Sequence, residues 1–282
     1  MKRLLIFWLA VWACVGPVMA AAPAAKKVLV VTTTLGYRHS SIETAERVIA
    51  ALGRSSGLYE VELASVAPAG ASEAVYREQV RATLQATLNR DALKRYHAIL
   101  FANTVGDLPL PDRDALVQWV RDGGAFIGVH SASDTLHSHR PYIEMLGGEF
   151  HTHHEQVTIE ALNRDPAHPA TRHLPPIWNL DGMKEEIYLF QNYQPDAVHE
   201  LITLDRHPNT AEVGHFPIAW CREWSKGRVF YTALGHNETV WELPAFQQHL
   251  LGGITWALRW PDALPSPQSA QRRLPHHPAG GL

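Results

Sequence analysis

Residues 122–135 read DGGAFIGVHSASDT. Two glycines close a helical segment, a short apolar run follows, and the chain leaves that run through His130, Ser131 and Asp134. This order predicts a buried strand whose carboxyl end carries polar side chains. Ligands of open parallel sheets bind beyond the carboxyl ends of the strands. Because Gly128 lacks a Cβ, we expect a sharp bend of the chain there.

The chain before this segment alternates strands and helices. Continuous apolar and β-branched runs predict buried strands at 27–34, 98–102 and 125–129, and a further strand is predicted at 59–64. Helices are predicted from Ser40 to Gly53, with Glu43 completing a capping box, then over 72–93 and from Pro111. The alternation is typical of an α/β fold with helices on both faces of a mainly parallel central sheet.

The pattern changes after a short helix predicted around 142–146. Strands without long helices between them are expected at 156–159, 187–190 and 201–204. The segments 218–223 and 228–232 flank a hairpin turn, and a last amphipathic helix is predicted over 244–258.

Composition limits the classes of function. The chain has 282 residues, 46% of them hydrophobic, enough for one large core or at most two domains. The formal net charge of −3 gives no electrostatic basis for binding nucleic acid or an anionic membrane. We therefore expect no nucleic-acid partner, and the composition leaves a homo-oligomer open.

The first 20 residues have the form of a signal peptide. Lys2 and Arg3 precede a short apolar run, and Val18-Met19-Ala20 predicts cleavage after Ala20. The sequence thus predicts export across the inner membrane to the periplasm, with a lipoprotein anchored at Cys14 as the alternative. We expect a domain over 21–260 with no transmembrane segment and a disordered tail over 261–282, which is rich in Pro, Gln, Ser and Arg.

Cleavage leaves Cys221 as the one cysteine, so no intrachain disulfide is expected. Because it lies in the apolar run 218–221, a role as a small buried hydrophobe is favoured over a nucleophile.

Polar residues should gather at the carboxyl edge of the sheet. Tyr37 and His39 follow the first strand, and His130 and His236 follow two others. Glu186, Tyr188 and the histidine-rich segment 147–154, with His151, His153 and His154, complete the set. Histidine suits proton transfer near neutral pH and metal ligation.

Two or three of these histidines with Glu186 could bind zinc. The metal-ligand candidates are His130, His153 and His236, although no recognised zinc-binding spacing is present. Ser131 and Ser133 lie outside any Gly-x-Ser-x-Gly motif, which argues against a serine hydrolase. Four tryptophans are candidates for stacking against a sugar, although core packing is favoured for each of them: Trp178, Trp220, Trp224 and Trp241.

In these motifs the sequence resembles the ThuA-like (trehalose utilisation) family from about residue 27 to 258. The resemblance rests on ordered motifs: GYRH at 36–39, GGAFIGVH at 123–130, GGEF at 147–150, HPAT at 168–171, EIY at 186–188 and GRVFYTALGH at 227–236.

The resemblance implies a flavodoxin-like, three-layer α/β fold of the class I glutamine amidotransferase-like superfamily. There the nucleophilic cysteine follows the equivalent strand, where this chain has His130, and His236 resembles the triad histidine. Because imidazole replaces a thiol poorly, the family likeness predicts no amidotransferase activity.

It implies instead action on a sugar or keto-sugar in disaccharide utilisation. His130, His236 and Glu186 would be the catalytic groups, and Tyr37, His39, His153 and Tyr188 would line the substrate pocket. The alternatives are a non-catalytic carbohydrate-binding protein on the same fold, and a serine or metal hydrolase.

Overall fold

The computed structural model describes residues 24–260. The predicted signal peptide at 1–20 and the predicted tail at 261–282 lie outside the described residues. The strands are β1 Lys26–Val31, β2 Tyr59–Ala64, β3 Ala98–Ala102, β4 Ala125–Val129, β5 Glu149–His153, β6 Ala161–Asn163, β7 Ile177–Trp178, β8 Tyr188–Gln191, β9 His199–Arg206, β10 Val213–Trp224 and β11 Gly227–Thr232. The helices are α1 Ile42–Ser56, α2 Glu73–Thr87, α3 Arg90–Leu93, α4 Arg113–Arg121, α5 Arg140–Leu146, α6 Glu238–Glu242 and α7 Pro244–Ala257.

Within the described residues, nine strands form the central sheet in the order β2-β1-β3-β4-β11-β10-β9-β6-β7. The pairs from β2 through β11 are parallel, and those from β11 to β7 are antiparallel. The parallel part has the 2-1-3-4-5 order of flavodoxin-like folds. The predicted α/β class with a mainly parallel central sheet is confirmed, and the carboxyl ends of β1, β4 and β11 lie along one edge.

Apolar layers cover both faces of this sheet. In β1, Val28 and Val30 belong to the core that includes α1 and α7, whereas Leu29 and Val31 belong to the core that includes α2 and α4. All four side chains are fully buried. Burial on both faces explains why the inner parallel strands β1, β3 and β4 contain continuous apolar runs rather than alternating ones.

The predicted boundaries of α1 are wrong at both ends. Ser41 is the N-cap residue, but its side chain makes no capping bond, and Glu43 pairs with Arg38. The predicted capping box of Ser40 and Glu43 is therefore not formed, since Ser40 precedes the N-cap residue, and the Ser41 hydroxyl donates to the His236 carbonyl at 2.7 Å. Gly53 lies inside the helix against Tyr59, and Gly57, at φ +69°, ends it instead.

Two further predictions differ from the structure. The helix predicted over 72–93 is divided, because the Asn89 side chain accepts from Asp91 and Ala92 N–H groups and starts α3. The strand predicted at 156–159 is only an isolated bridge between Val157 and Glu185. The strand expected at 187–190 is β8, and it pairs with β5 in a separate two-stranded sheet.

The tryptophans belong to the core rather than to a sugar-binding wall. Trp178, Trp220 and Trp241 are buried, and Trp224 packs under Arg121 and Arg222. Cys221 is buried in the same sheet, as expected for a small hydrophobe. In the part of the chain that the structure covers, none of the helices is long and apolar enough to cross a membrane.

Candidate functional site

The bend after β4 falls on His130 rather than on Gly128. His130 has φ +50°, a left-handed conformation that is rare for a residue with a side chain, and a tight turn over His130–Asp134 follows. Tyr231 OH donates to the His130 carbonyl at 2.7 Å and fixes this bend. Gly128 serves packing instead, since a Cβ there would lie 2.9 Å from the Tyr231 ring. Strained backbone of this kind concentrates at functional sites.

The hydrogen bonds of His130 define which of its nitrogens is free. Its side chain is fully buried, and Nδ1 lies 2.7 Å from the Ala233 carbonyl oxygen. A carbonyl only accepts, so Nδ1 carries the proton and Nε2 of the neutral ring presents a lone pair. That lone pair faces the Nδ1 of His236 at 3.2 Å and the Oε2 of Glu186 at 3.6 Å.

His236 lies on a turn after β11 that side chains of several elements hold in place. Gly235, at φ +113°, allows the turn, and its carbonyl accepts from Asn103 Nδ2 and Trp241 Nε1. Ser41 binds the next carbonyl, that of His236. The backbone of this turn is therefore fixed from both sides.

Glu185 is the buried carboxylate behind the site. It accepts from the N–H groups of Gly235 at 2.9 Å, His236 at 3.1 Å and Glu186 at 2.9 Å. Burial raises the pKa of Glu185 above its ordinary value. One side chain thus positions two of the functional candidates.

Glu186 lies between the histidines. Its Oε2 is 3.2 Å from His236 Nδ1, and its Oε1 is 3.1 Å from His153 Nδ1. Burial opposes ionisation, but contacts with His130 and His236 hold the pKa of Glu186 well below its usual range. Although burial acts in the opposite direction, Glu186 also raises the pKa of His236 above its ordinary value. The carboxylate is therefore ionised and serves as an acceptor.

His39 completes the group from the loop after β1. Its ring lies edge-on to those of His130 and His236, with centroids 4.8 Å and 5.1 Å away. Burial and then the charges of His130 and His236 lower the pKa of His39 to about 3. The ring is thus neutral at physiological pH and keeps a lone pair.

The other predicted residues surround this group. The Tyr188 ring is buried and lies 4.3 Å from that of His130, so it forms the wall behind that imidazole. Tyr37 is 66% exposed and meets His39 edge-on at 4.9 Å. His153 is 43% exposed on the opposite side of Glu186. These residues line the approach to the site.

Other sequence candidates lie apart from it. His151 and His154 are exposed to solvent. Ser133 Oγ bonds to Tyr231 OH and the His130 carbonyl, and Ser131 Oγ is buried without a hydrogen-bond partner among the described residues. Neither hydroxyl meets an imidazole nitrogen, so the serine-hydrolase arrangement is not formed.

The positioning residues Glu185, Ser41 and Asn103 were not predicted. Ser41 stood inside a helix-start pattern, and Asn103 follows an ordinary buried strand. Only the acidic pair Glu185-Glu186 offered a signal, because two adjacent carboxylates before a strand point to opposite sides.

The fold and this edge define an open α/β protein with a histidine at the strand-to-helix bend. The family model described as trehalose utilisation, ThuA, matches residues 27–257. The chain belongs to the ThuA family.

Two solved structures share the fold. A ThuA-like protein from Bacteroides uniformis is 20% identical, covers 86% of this chain and 95% of its own, and has a TM-score of 0.65. One from Parabacteroides merdae is 17% identical, with 83% and 90% covered and a TM-score of 0.63. A comparison with curated proteins gives no match.

Proposed function

We propose that this protein acts on a sugar or keto-sugar during utilisation of a trehalose-type disaccharide. The link to trehalose comes from the family, whose description is trehalose utilisation. Since a fold alone does not fix a reaction, the argument for chemistry comes from the site.

The observation that carries the proposal is the convergence of His130, His236 and Glu186. His130 Nε2 and His236 Nδ1 both face the same carboxylate oxygen, and the three side chains come from the bend after β4, the turn after β11 and the segment before β8. Imidazoles next to an ionised carboxylate exchange protons readily near neutral pH. His130 and His236 then act as general acid and base or as metal ligands, with Glu186 as their carboxylate partner.

The exposed Tyr37 ring supports a carbohydrate ligand. Aromatic faces at a site entrance provide flat apolar surfaces for sugar rings. Trp178, Trp220 and Trp241 are buried in the core and cannot serve in this way. Tyr37 contacts His39, so a ring stacked on it lies beside the central group. His153 is 43% exposed, and with its Nδ1 proton directed to the His154 carbonyl it offers Nε2 as an acceptor for a sugar hydroxyl.

The same site argues against glutamine hydrolysis. That reaction needs a thiolate nucleophile, and the bend after β4 carries an imidazole instead. Cys221, the only cysteine in the described residues, is buried. Burial raises the pKa of its thiol to about 12.

Turnover of a panel of disaccharides and their keto forms tests the proposal. Wild type should form product, and His130→Ala and His236→Ala should each lose at least about 10²-fold in kcat/KM. His151→Ala is the control, because that imidazole is exposed and should leave turnover unchanged. Unchanged turnover in both site variants would refute the assignment. Saturable binding without product would favour a carbohydrate-binding protein.

We further propose that the chain works in the periplasm, following the predicted signal peptide at 1–20. Cell fractionation should find the processed chain in the periplasmic fraction, beginning at Ala21. Retention in the membrane fraction with Cys14 lipidated would support the lipoprotein alternative.

A further inference from the structure

We propose that His39, His130, Glu186 and His236 together bind one divalent transition-metal ion, with zinc as the best-suited metal. The inference rests on the site of the proposed function, but it concerns the ligand set rather than the sugar. It adds His39, which lies nearly 100 residues from the next member of the group in the sequence.

The four side chains offer donors at a suitable separation. One nitrogen of each histidine and one oxygen of Glu186 lie within 4.8 Å of one another. The donors come from the loop after β1, the bend after β4, the segment before β8 and the turn after β11. Since His39, His130 and Glu186 are buried, an ion there would be largely shielded from water.

The donor atoms are prepared for a cation. The Ala233 carbonyl holds the proton on His130 Nδ1 and leaves Nε2 as a donor, which is the usual arrangement for a metal-ligating histidine. His39 Nδ1 is buried without a hydrogen-bond partner among the described residues. A buried nitrogen left unpaired is costly, and a cation in the group offers such an atom a partner.

The composition of the group selects the metal. Three imidazole nitrogens and one carboxylate oxygen are borderline donors that suit zinc and its first-row neighbours. Calcium and magnesium prefer sets made only of oxygen ligands. Glu185 supports the ligands from behind, because it binds the backbone N–H groups of both Glu186 and His236.

His153 gives a matched comparison for His39. Both imidazoles approach the same group, but His153 meets the opposite Glu186 oxygen, Oε1, and is 43% exposed. Its Nδ1 also lies 3.0 Å from the His154 carbonyl. Because that carbonyl only accepts, it holds the proton on Nδ1. The nitrogen of His153 that faces Glu186 is thus occupied by a proton, and His153 is not among the side chains whose donor atoms lie within 4.8 Å of one another.

Zinc titration of the chelator-treated mature protein tests the inference, with calorimetry for affinity and elemental analysis for content. Wild type should bind one Zn²⁺ per chain. His39→Ala should weaken binding at least about tenfold, and His153→Ala by less than about threefold. Circular dichroism checks folding. Glu186→Gln provides a second ligand variant if His39→Ala does not fold, and it should also weaken binding at least about tenfold.

Lack of stoichiometric binding by wild type, or equal weakening in His39→Ala and His153→Ala, would overturn the inference. Zinc bound at these residues without sugar turnover would support the metal site and count against the proposed function. Full sugar turnover by metal-free protein that takes up no zinc would overturn the metal site and support the proposed function.

Discussion

Two groups of imidazoles and carboxylates lie close together in this molecule and differ in how their nitrogens are used. The first is the site of His39, His130, His236 and Glu186. The second is a bridge in which His137 lies between Asp134, at 2.6 Å, and Glu149, at 2.7 Å. Asp134 ends the same turn that begins at His130, so the two groups share one segment.

In the bridge both imidazole nitrogens of His137 are hydrogen-bonded. Each faces a carboxylate, and the hydrogen bond to Asp134, opposed in part by burial, raises the pKa of His137 to about 9. In the site the shifts diverge: burial lowers the pKa of His39 to about 3, whereas, although burial opposes it, Glu186 raises the pKa of His236. A lone pair stays free on His130. A bridge in which both imidazole nitrogens face carboxylates fixes structure, whereas imidazoles that keep a free nitrogen beside one carboxylate are ready for a proton or a cation.

Loss of the Glu186 charge should produce the largest difference in activity between the site and the bridge. Glu186→Gln removes the charge that both His130 and His236 face, and we expect kcat/KM to fall at least about 10²-fold. Glu149→Gln makes the matching change in the bridge and should lower kcat/KM by less than about threefold. Steady-state kinetics with the best substrate of the panel measures both. Similar losses of kcat/KM in the two variants would contradict the assignment of different roles to the site and the bridge.

Glu185→Ala should affect stability and the site together. The change leaves buried N–H groups on Gly235, His236 and Glu186 without their acceptor. Since an unsatisfied buried group costs about 1–3 kcal/mol, we expect the free energy of unfolding to fall by about 2–4 kcal/mol. Zinc affinity should fall about 10–100-fold. Urea unfolding and zinc titration check the two effects. Glu185→Gln keeps one acceptor oxygen, so its free energy of unfolding and its zinc affinity should lie between those of Glu185→Ala and wild type. Unchanged zinc affinity in a folded Glu185→Ala protein would show that this carboxylate does not position the ligands.

The bridge should make stability depend on pH. The folded-state pKa of His137 is raised from 6.5 to about 9, so its contribution is fully present below pH 6.5 and is lost as the pH rises through 9. Because the side chain is 36% exposed, screening limits the contribution to about 1 kcal/mol. Urea unfolding should show His137→Gln less stable than wild type at pH 6 and equal to it above pH 9.5. An unchanged difference at both pH values would contradict the bridge. His151→Gln serves as the exposed control.

Cys221 should give the smallest effect. Its Sγ lies 3.7 Å from His168 Nε2, yet burial raises the pKa of the thiol to about 12 and lowers that of His168 to about 4. The pair is therefore neutral rather than an activated thiolate with an imidazolium. Cys221→Ala should change turnover by less than about twofold. In protein lacking Cys14, iodoacetamide should label Cys221 only after unfolding, and rapid labelling of the native chain would refute this.

The sequence predicted the parallel half of the fold best. The strands Ala98–Ala102 and Ala125–Val129 appear with the expected bounds, because strands buried on both faces give uninterrupted apolar runs. The edge strand Tyr59–Ala64 also has the expected bounds, although only its first and last residues are buried. The short strands β6 and β7 were missed. Two or three residues at a sheet edge carry no measurable periodicity, and tertiary pairing determines them.

The same limit applies to the site. His130 and His236 were predicted because the carboxyl ends of strands in a parallel sheet meet at one edge, and Glu186 was predicted from its family motif. The roles of Ser41 and Glu185 depend on backbone atoms of the turn at Gly235 and His236, which is 195 residues from Ser41 and 51 from Glu185 along the chain. No local pattern encodes such contacts, and the helix-start pattern gave the capping role to the neighbouring Ser40.

X-ray diffraction of zinc-loaded crystals at the zinc absorption edge tests the central claim most directly. The account predicts one anomalous peak bounded by His39, His130, Glu186 and His236, at about 2.0–2.2 Å from each donor atom. A crystal whose only zinc peaks lie elsewhere, for example at the exposed His151 or His154, would contradict it.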